Sequence, residues 1–557
     1  MIKSLLVICA SACTIMVQSQ AVTVNSENIL FGTLDFEDAD SVEIVLTNVL
    51  DETIEIEELR FFDFYVSSPF YVTNYPQEIA PLASASFYVV FKPIHNMSHN
   101  SELVIKTSGN RGAISIDLLG DCQYSNTYYD GTYDLLDSPL KDVFNDILAE
   151  GYQQYNYDVA RDEMFMVIDN QQVNGQGSAQ SRLTRAYIGT DAVGYTSRTD
   201  LFNNYSVNTE HTFPQGFFNS ALPMVSDVHH LFGTDVNANS QRGNFAFGNV
   251  LSSVTYEQGG SKKGNDASGT VVFEPRDGHK GKAARAVLYF VLRYQNYGGF
   301  LTQNQETALR GWNDEFPSDA VDRKRNDDVF DFQNNRNPFS DYPQFADRIL
   351  NFRSVGPQDR PNVGLFNISH EEIEFGMVAS SEEIVPFNLV ITNSGERFFN
   401  ISNLELVNNT SGAFLFAEEQ MTSITVNKGE SVNIPILFNS ELSSGGFTAE
   451  LQFTSTAFGQ EEVNIPVSAS AILGLQNADF SGVMLVPNPF GESLEFVDHT
   501  AVQYISSIEI YDLTGRLVIQ IKGIENRIST GHLDAGIYHI VTNQKDGSRM
   551  VQKMVKQ

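Results

Sequence analysis

At 557 residues with 42% apolar content the chain exceeds what one hydrophobic core holds, since cores stop growing near ~250–300 residues, so several domains are expected. A formal charge of −34 excludes a uniformly basic polyanion binder, but residues 201–310 hold 9 Lys/Arg against 8 Asp/Glu, so the acid sits on the flanks of a near-neutral centre. Of the three cysteines, Cys9 and Cys13 lie in the N-terminal apolar segment and Cys122 stands alone after it, which excludes a disulfide framework in a chain cut beyond Cys13.

In chain order, residues 1–20 read as a secretory signal: Lys3 is the positive start, Leu5 to Val17 is mostly apolar, and small or polar residues follow at Ser19–Ala21. Residues 22–122 read as short strands in a β-sandwich. Ser41-Val-Glu-Ile-Val-Leu-Thr47 and Ser86-Phe-Tyr-Val-Val-Phe-Lys92 are β-branched and aromatic, with turn residues between them. Residues 123–356 change texture. Helical spacing is predicted over Leu135–Tyr152 and Lys280–Tyr297, where Ala283, Val287, Leu288, Val291 and Leu292 line one stripe. On the second helix Arg285 and Arg293 are candidates to face a phosphate backbone, or an ion-paired face. The strand grammar returns over 362–472: Ile29-Leu-Phe-Gly32 matches Ile373-Glu-Phe-Gly376, and Leu46-Thr-Asn48 matches Ile391-Thr-Asn393, so the two segments are copies of one module. Residues 478–557 read as a small β module with a hairpin turn at Asp512–Gly515.

The densest polar stretch runs from Asn208 to Asn244 and is expected to be mostly loop, because Gly, Asn, Ser and Pro interrupt it. Glu210 directly precedes His211, which sets a hard oxygen ligand beside a base. Asn244 can give a neutral amide oxygen to the same cation. Such ligands suit Mg²⁺ or Ca²⁺ (or Mn²⁺), one ion in the site, and the absence of nearby thiolate makes zinc less attractive. Asn237 and Asn239 are expected as loop formers. Asp227 is open between holding a histidine tautomer and making an ordinary turn, and His229 and His230 between orienting groups and packed histidines.

Three blocks in order, Asn208-Thr-Glu-His-Thr-Phe-Pro214, Asp227-Val-His-His-Leu231 and Asn239-Ser-Gln-Arg-Gly-Asn244, resemble the bacterial endonuclease I family of secreted or periplasmic nucleases. The likeness continues in Phe273-Glu-Pro, Lys280-Gly-Lys-Ala-Ala-Arg285, Arg325-Asn326 and Gln333-Asn-Asn-Arg-Asn-Pro-Phe339, over roughly residues 125–352. Val228 and Asn334 depart from the usual Leu and Gly.

The resemblance implies an α+β domain with a ββα-metal site that hydrolyses DNA, with RNA a second candidate substrate, without sequence preference. It implies His211 as general base, Arg242 as a phosphate clamp, Glu210 and Asn244 as ligands of one divalent cation, and Asp227, His229, His230 and Asn239 in support. Lys280, Lys282 and Arg285 are expected backbone contacts, with Lys262 and Lys263 as further candidates. The two flanking modules resemble Ig-like sandwiches of bacterial surface proteins.

Val486-Pro-Asn-Pro-Phe490, Tyr511-Asp-Leu-Thr-Gly-Arg516 and Leu533-Asp-Ala-Gly-Ile-Tyr538 resemble the C-terminal sorting domain of type IX secretion substrates, which implies the type IX machinery as a partner and an extracellular or surface location. The expected architecture is multidomain: an α+β nuclease domain between two all-β sandwiches, then an all-β sorting domain. The competing expectation is a non-catalytic extracellular DNA-binding or adhesion protein carrying a degenerate nuclease domain.

Overall fold

The structure, a computed structural model, describes residues 21–557 apart from 63–67, 380–383, 418–422, 441–443, 473–484, 498–500, 514 and 546–548. The expected signal segment, residues 1–20, and residues 478–484 at the start of the expected sorting domain lie outside the described residues.

The first unit pairs a four-stranded sheet (Val22–Val24, Asp40–Asn48, Ser84–Phe91, Phe70–Thr73) with a five-stranded one (Asn28–Asp35, Ala113–Gln123, Ser98–Thr107, Ile54–Phe62, Glu78–Ile79). Period-two alternation makes the core: Ile44, Leu46, Phe87 and Val89 from one sheet meet Ile29, Leu103, Ile105 and Ile116 from the other. A second unit over 366–472 has the same strand order in both of its sheets, counted from its own first strand. The repeated Thr-Asn pair has a physical reason. Asn48, 1% exposed, donates to the carbonyls of Glu52, Ile79 and Ala80, and its counterpart Asn393, 0% exposed, donates to those of Arg397 and Val426. Each buried amide spends its donors on the carbonyls of the turns beside it, which ties those turns to the sheet.

Between the two copies lies a helical unit. Four of its elements position the site: β1 (Val207–His211), β2 (Leu231–Asp235), α1 (Val236–Arg242) and α2 (Asp277–Arg293). The stripe expected on α2 is buried, with Ala283, Val287, Leu288, Val291 and Leu292 in the unit's main core. The opposite face is buried too, which decides between the two expectations for its arginines in favour of ion pairing. Arg285 donates to Asp322 at 2.6 Å and to the Phe316 carbonyl at 2.8 Å. Arg293 donates to the Tyr294 hydroxyl at 2.9 Å and lies over the Tyr152 ring. Neither guanidinium is presented to a phosphate backbone. Trp312 and the Asn337-Pro-Phe339 turn fasten the unit: the indole donates to Asn249 at 2.8 Å, and Asn337 accepts from Phe339 N at 3.0 Å. Among the described residues no helix is long and apolar enough to cross a membrane.

The helical unit closes past the expected boundary at 356. Asp137 accepts from Leu350 N, Arg360 N and the Arg360 guanidinium, each at 2.6 Å, and Asp359 accepts from Ser138 N at 2.9 Å. A chain of residues 21–356 leaves the nearly buried Asp137 with one of those three donors, an expected loss of about 1–3 kcal/mol relative to a chain of residues 21–362. Thermal melting of the two chains checks this; equal midpoints would show that the Arg360 contact adds nothing.

The C-terminal unit holds a three-stranded and a four-stranded sheet. Ile505–Asp512 pairs with Leu517–Lys522 as the expected hairpin, and Gly515 at φ +76° serves its turn, where Gly515 N donates to the Asp512 carbonyl.

Candidate active site

β1 and β2 pair antiparallel, Glu210 opposite Phe232 and His211 opposite Leu231, and the chain runs from β2 straight into α1. The stretch expected to be mostly loop is therefore two strands and a helix joined by short 3₁₀ turns. Asn237 and Asn239, expected as loop formers, lie on α1, because Asp235 caps the helix by accepting from Asn237 N and Ala238 N. Asn239 donates to the Thr209 carbonyl at 3.2 Å and braces α1 on β1.

Successive residues of a strand face opposite sides, so Glu210 and His211 diverge. On one side the His211 ring lies 5.4 Å from the Tyr157 ring and 5.5 Å from that of His230. Its Nε2 is 3.1 Å from the Val225 carbonyl. A carbonyl only accepts, so Nε2 carries the proton and Nδ1 keeps a lone pair. Burial, reinforced by His230, lowers the His211 pKa to about 3, so the ring is neutral.

On the other side Glu210, 2% exposed, accepts from the Tyr187 hydroxyl at 2.6 Å, and the Arg242 guanidinium lies 3.3 Å away, both on Oε1. Burial raises the Glu210 pKa above the ordinary value, with Arg242 and Tyr187 opposing.

Arg242 is not where a phosphate clamp would be. It is 2% exposed and donates to the carbonyls of His211 at 3.3 Å, Thr212 at 2.5 Å and Gly243 at 3.1 Å. Its fork locks the end of β1 and partners Glu210. The expected backbone contacts on α2 are likewise committed: Lys280 pairs with Glu274 at 2.7 Å and Asp277 at 2.9 Å, Lys282 pairs with Asp322 at 3.0 Å, and Arg285 is buried on that same aspartate. These corrections share one reason. Each cation folds beside a carboxylate or carbonyl that its own sequence block does not reveal. Lys263 is placed differently, on the strand Ser261–Asn265, where it donates to Gln241 of α1 at 2.7 Å.

Asp227 makes the turn rather than holding a histidine ring. It caps His229 N at 3.2 Å and accepts from Tyr289, Tyr294 and Gln333 at 2.8–2.9 Å. Burial alone would raise its pKa, but Arg293 and the two histidines hold it below the usual carboxylate value. His229 donates to the Asn335 carbonyl and His230 to that of Met224, so both are packed histidines; His230 also borders the His211 ring.

Asn244 is exposed just beyond α1. Its amide sits 3.3 Å from where a Cβ on Gly216 would be, so the glycine leaves the amide its room. Among the described residues no group of three or more His, Cys, Asp or Glu gathers to cage a metal. By donor type a carboxylate and an amide oxygen suit an open, largely hydrated Mg²⁺ or Ca²⁺ rather than a closed zinc cage, but Glu210 is buried with Oε1 held by Tyr187 and Arg242 while Asn244 is exposed beside Gly216.

Sequence reasoning missed Tyr187, Tyr157 and Val225. Tyr187 lies outside the three blocks. Val225 acts through its backbone carbonyl, which no side-chain pattern encodes.

Residues 140–344 match the family described as Endonuclease I, and residues 484–557 match the family described as Secretion system C-terminal sorting domain. An extracellular ribonuclease of Bacillus amyloliquefaciens is 35% identical over 173 residues, 28% of this chain and 58% of that protein. An extracellular ribonuclease of Bacillus subtilis (strain 168) is 28% identical over 292 residues, 49% of this chain and 93% of that protein. The chain thus spans less than two thirds of the first relative's length and nearly all of the second's. Among solved structures, a PapD-like domain of human CEP192 is 14% identical over 22% of this chain and 94% of that one, with a TM-score of 0.17, too low to carry an argument.

Proposed function

With an Endonuclease I domain at residues 140–344 and a sorting domain at residues 484–557, we propose that this chain is a metal-dependent nuclease hydrolysing phosphodiester bonds of DNA and RNA without sequence preference. It is a secreted or cell-surface protein, as its sorting domain and extracellular relatives indicate. The type IX machinery is the proposed exporter, and the flanking repeats are proposed Ig-like sandwiches. RNA is included because both relatives are named as ribonucleases.

The observation that carries the reading is the fixed tautomer of His211. Its Nε2 proton is held by the Val225 carbonyl, so Nδ1 can take a proton from a water attacking phosphorus. Holding the ring neutral keeps that nitrogen ready, and a bound phosphate raises its basicity. We assign Glu210 and Asn244 as holders of one divalent cation, in a ββα arrangement of β1, β2 and α1. When bound, such an ion offsets charge on the phosphoryl and leaving oxygens. Arg242 positions both β1 residues, and Lys263, next to α1, is the proposed backbone contact in place of the committed Lys280, Lys282 and Arg285.

Plasmid nicking with Mg²⁺, with and without chelator, tests the reading. Cleavage should vanish with chelator and return with excess Mg²⁺. No cleavage of DNA or RNA under any divalent cation would instead identify a binding protein with a degenerate site. Asn244→Ala should lose activity that added Mg²⁺ partly restores, because the lost ligand is neutral, whereas Glu210→Ala should be restored less. Unchanged metal affinity by calorimetry in both variants would remove them as ligands.

A further inference from the structure

Away from the active site, a buried carboxylate lies at the junction of the two repeated sandwiches. Glu102 sits on the strand Ser98–Thr107 of the first sandwich and is 0% exposed. Both of its carboxylate oxygens are buried, and neither has a partner at ideal hydrogen-bond geometry, although the Ser115 and Ser431 hydroxyls and the Asp117 carboxyl lie close enough to act on it. Directly opposite in register on the neighbouring strand is a second carboxylate, Asp117. Opposed like charges destabilise a strand pair, and an unpaired buried carboxylate costs several kcal/mol. Among the described residues no lysine or arginine pairs with Glu102. The surroundings are instead oxygen-rich.

The second sandwich seats its strands Ile384–Asn393 and Ser431–Asn439 here. Val390 packs with Phe62, Val104 and Ala113, and Asn388 bridges to Gly112. Thr392 and Ser431 are register partners on those strands, so their hydroxyls share a face. The Thr392 hydroxyl is also buried with no partner. Ser115 and Asn433 approach each other across the same junction at 3.4–3.5 Å. Ser115 and Ser431 both act on the Glu102 carboxyl, and burial followed by Asp117 raises its pKa.

We propose that Glu102, Asp117 and the hydroxyls of Ser115, Thr392 and Ser431 form a Ca²⁺ site that clamps the two sandwiches together. Two carboxylates neutralise the ion, the buried Thr392 hydroxyl gains the partner it lacks, and Glu102 gains the cation that its hydroxyl neighbours do not supply. Ca²⁺ accepts six to eight oxygens in irregular geometry, whereas Mg²⁺ demands a regular octahedron that a junction of two sheets does not offer. An exported protein meets Ca²⁺ at concentrations that sites with Kd on the order of 10⁻⁴–10⁻³ M can use. The site is independent of the nuclease reading.

The test titrates CaCl₂ into the chelator-treated full chain by calorimetry, with Glu210→Gln present throughout, which removes the active-site carboxylate's charge but keeps an oxygen for Tyr187 and Arg242. One Ca²⁺ should bind, and Ca²⁺ should raise the melting temperature more than equimolar Mg²⁺. Glu102→Gln, which is isosteric and relieves the charge repulsion, should weaken that binding at least tenfold, as should Asp117→Asn, whose exposed side chain keeps the fold out of question. Absence of Ca²⁺ binding in the folded Glu210→Gln chain, or binding unchanged by Asp117→Asn, overturns the proposal.

Discussion

Replacing His211 by alanine is expected to lower plasmid cleavage by about 10²–10⁴-fold, the usual cost of removing a positioned base. The loss should fall on kcat, because the proposed base role places Nδ1 on the attacking water and not in metal or substrate binding. Among the described residues the substitution removes one side-chain hydrogen bond, from Nε2 to the Val225 carbonyl at 3.1 Å, and the Tyr157, Phe218 and His230 rings still fill the surroundings. The fold should therefore persist, with a modest drop in melting temperature. Mg²⁺ affinity by calorimetry should be unchanged. Cleavage within a few fold of the parent chain at saturating Mg²⁺ would end the assignment of His211 as base.

Arg242→Ala should also abolish activity, but by a different route. The side chain is 2% exposed, its partner Glu210 is 3% exposed at the side chain, and three backbone carbonyls depend on its fork. Truncation leaves a buried carboxylate without its cation, a loss of about 3–5 kcal/mol. The expected result is a melting temperature lowered by many degrees and a fall in activity that tracks the folded fraction. A phosphate clamp would behave otherwise: stability retained and KM raised. Arg242→Lys separates the two further. A lysine keeps the charge beside Glu210 but cannot serve three carbonyls in one plane, so stability should recover only in part. An Arg242→Ala chain with unchanged melting and raised KM would restore the clamp role.

Much of this protein is legible along the chain. The repeat of Ile-x-Phe-Gly and Thr-Asn announces two copies of one module because turn amides and alternating apolar residues are local requirements, satisfied within a few residues. The helix after Lys280 is legible for the same reason, through its apolar spacing. The blocks around Glu210, His211 and Asn244 are legible as a resemblance because residue types at fixed short spacings survive in the chain as written. What only the tertiary structure decided is which side chains remain free. Arg242, Lys280, Lys282 and Arg285 look alike in sequence, each a cation near a nuclease-like block, yet Glu210, Glu274 and Asp322 neutralise them through contacts that span up to 40 residues. Asp227 is open along the chain between a histidine partner and a turn, and Tyr289, Tyr294 and Gln333 capture it in the turn. The His211 tautomer rests on a carbonyl, which every residue carries. Local propensity and spacing act over a few residues and can be read along the chain; charge pairing and burial act through space, and folding alone decides which partner arrives first.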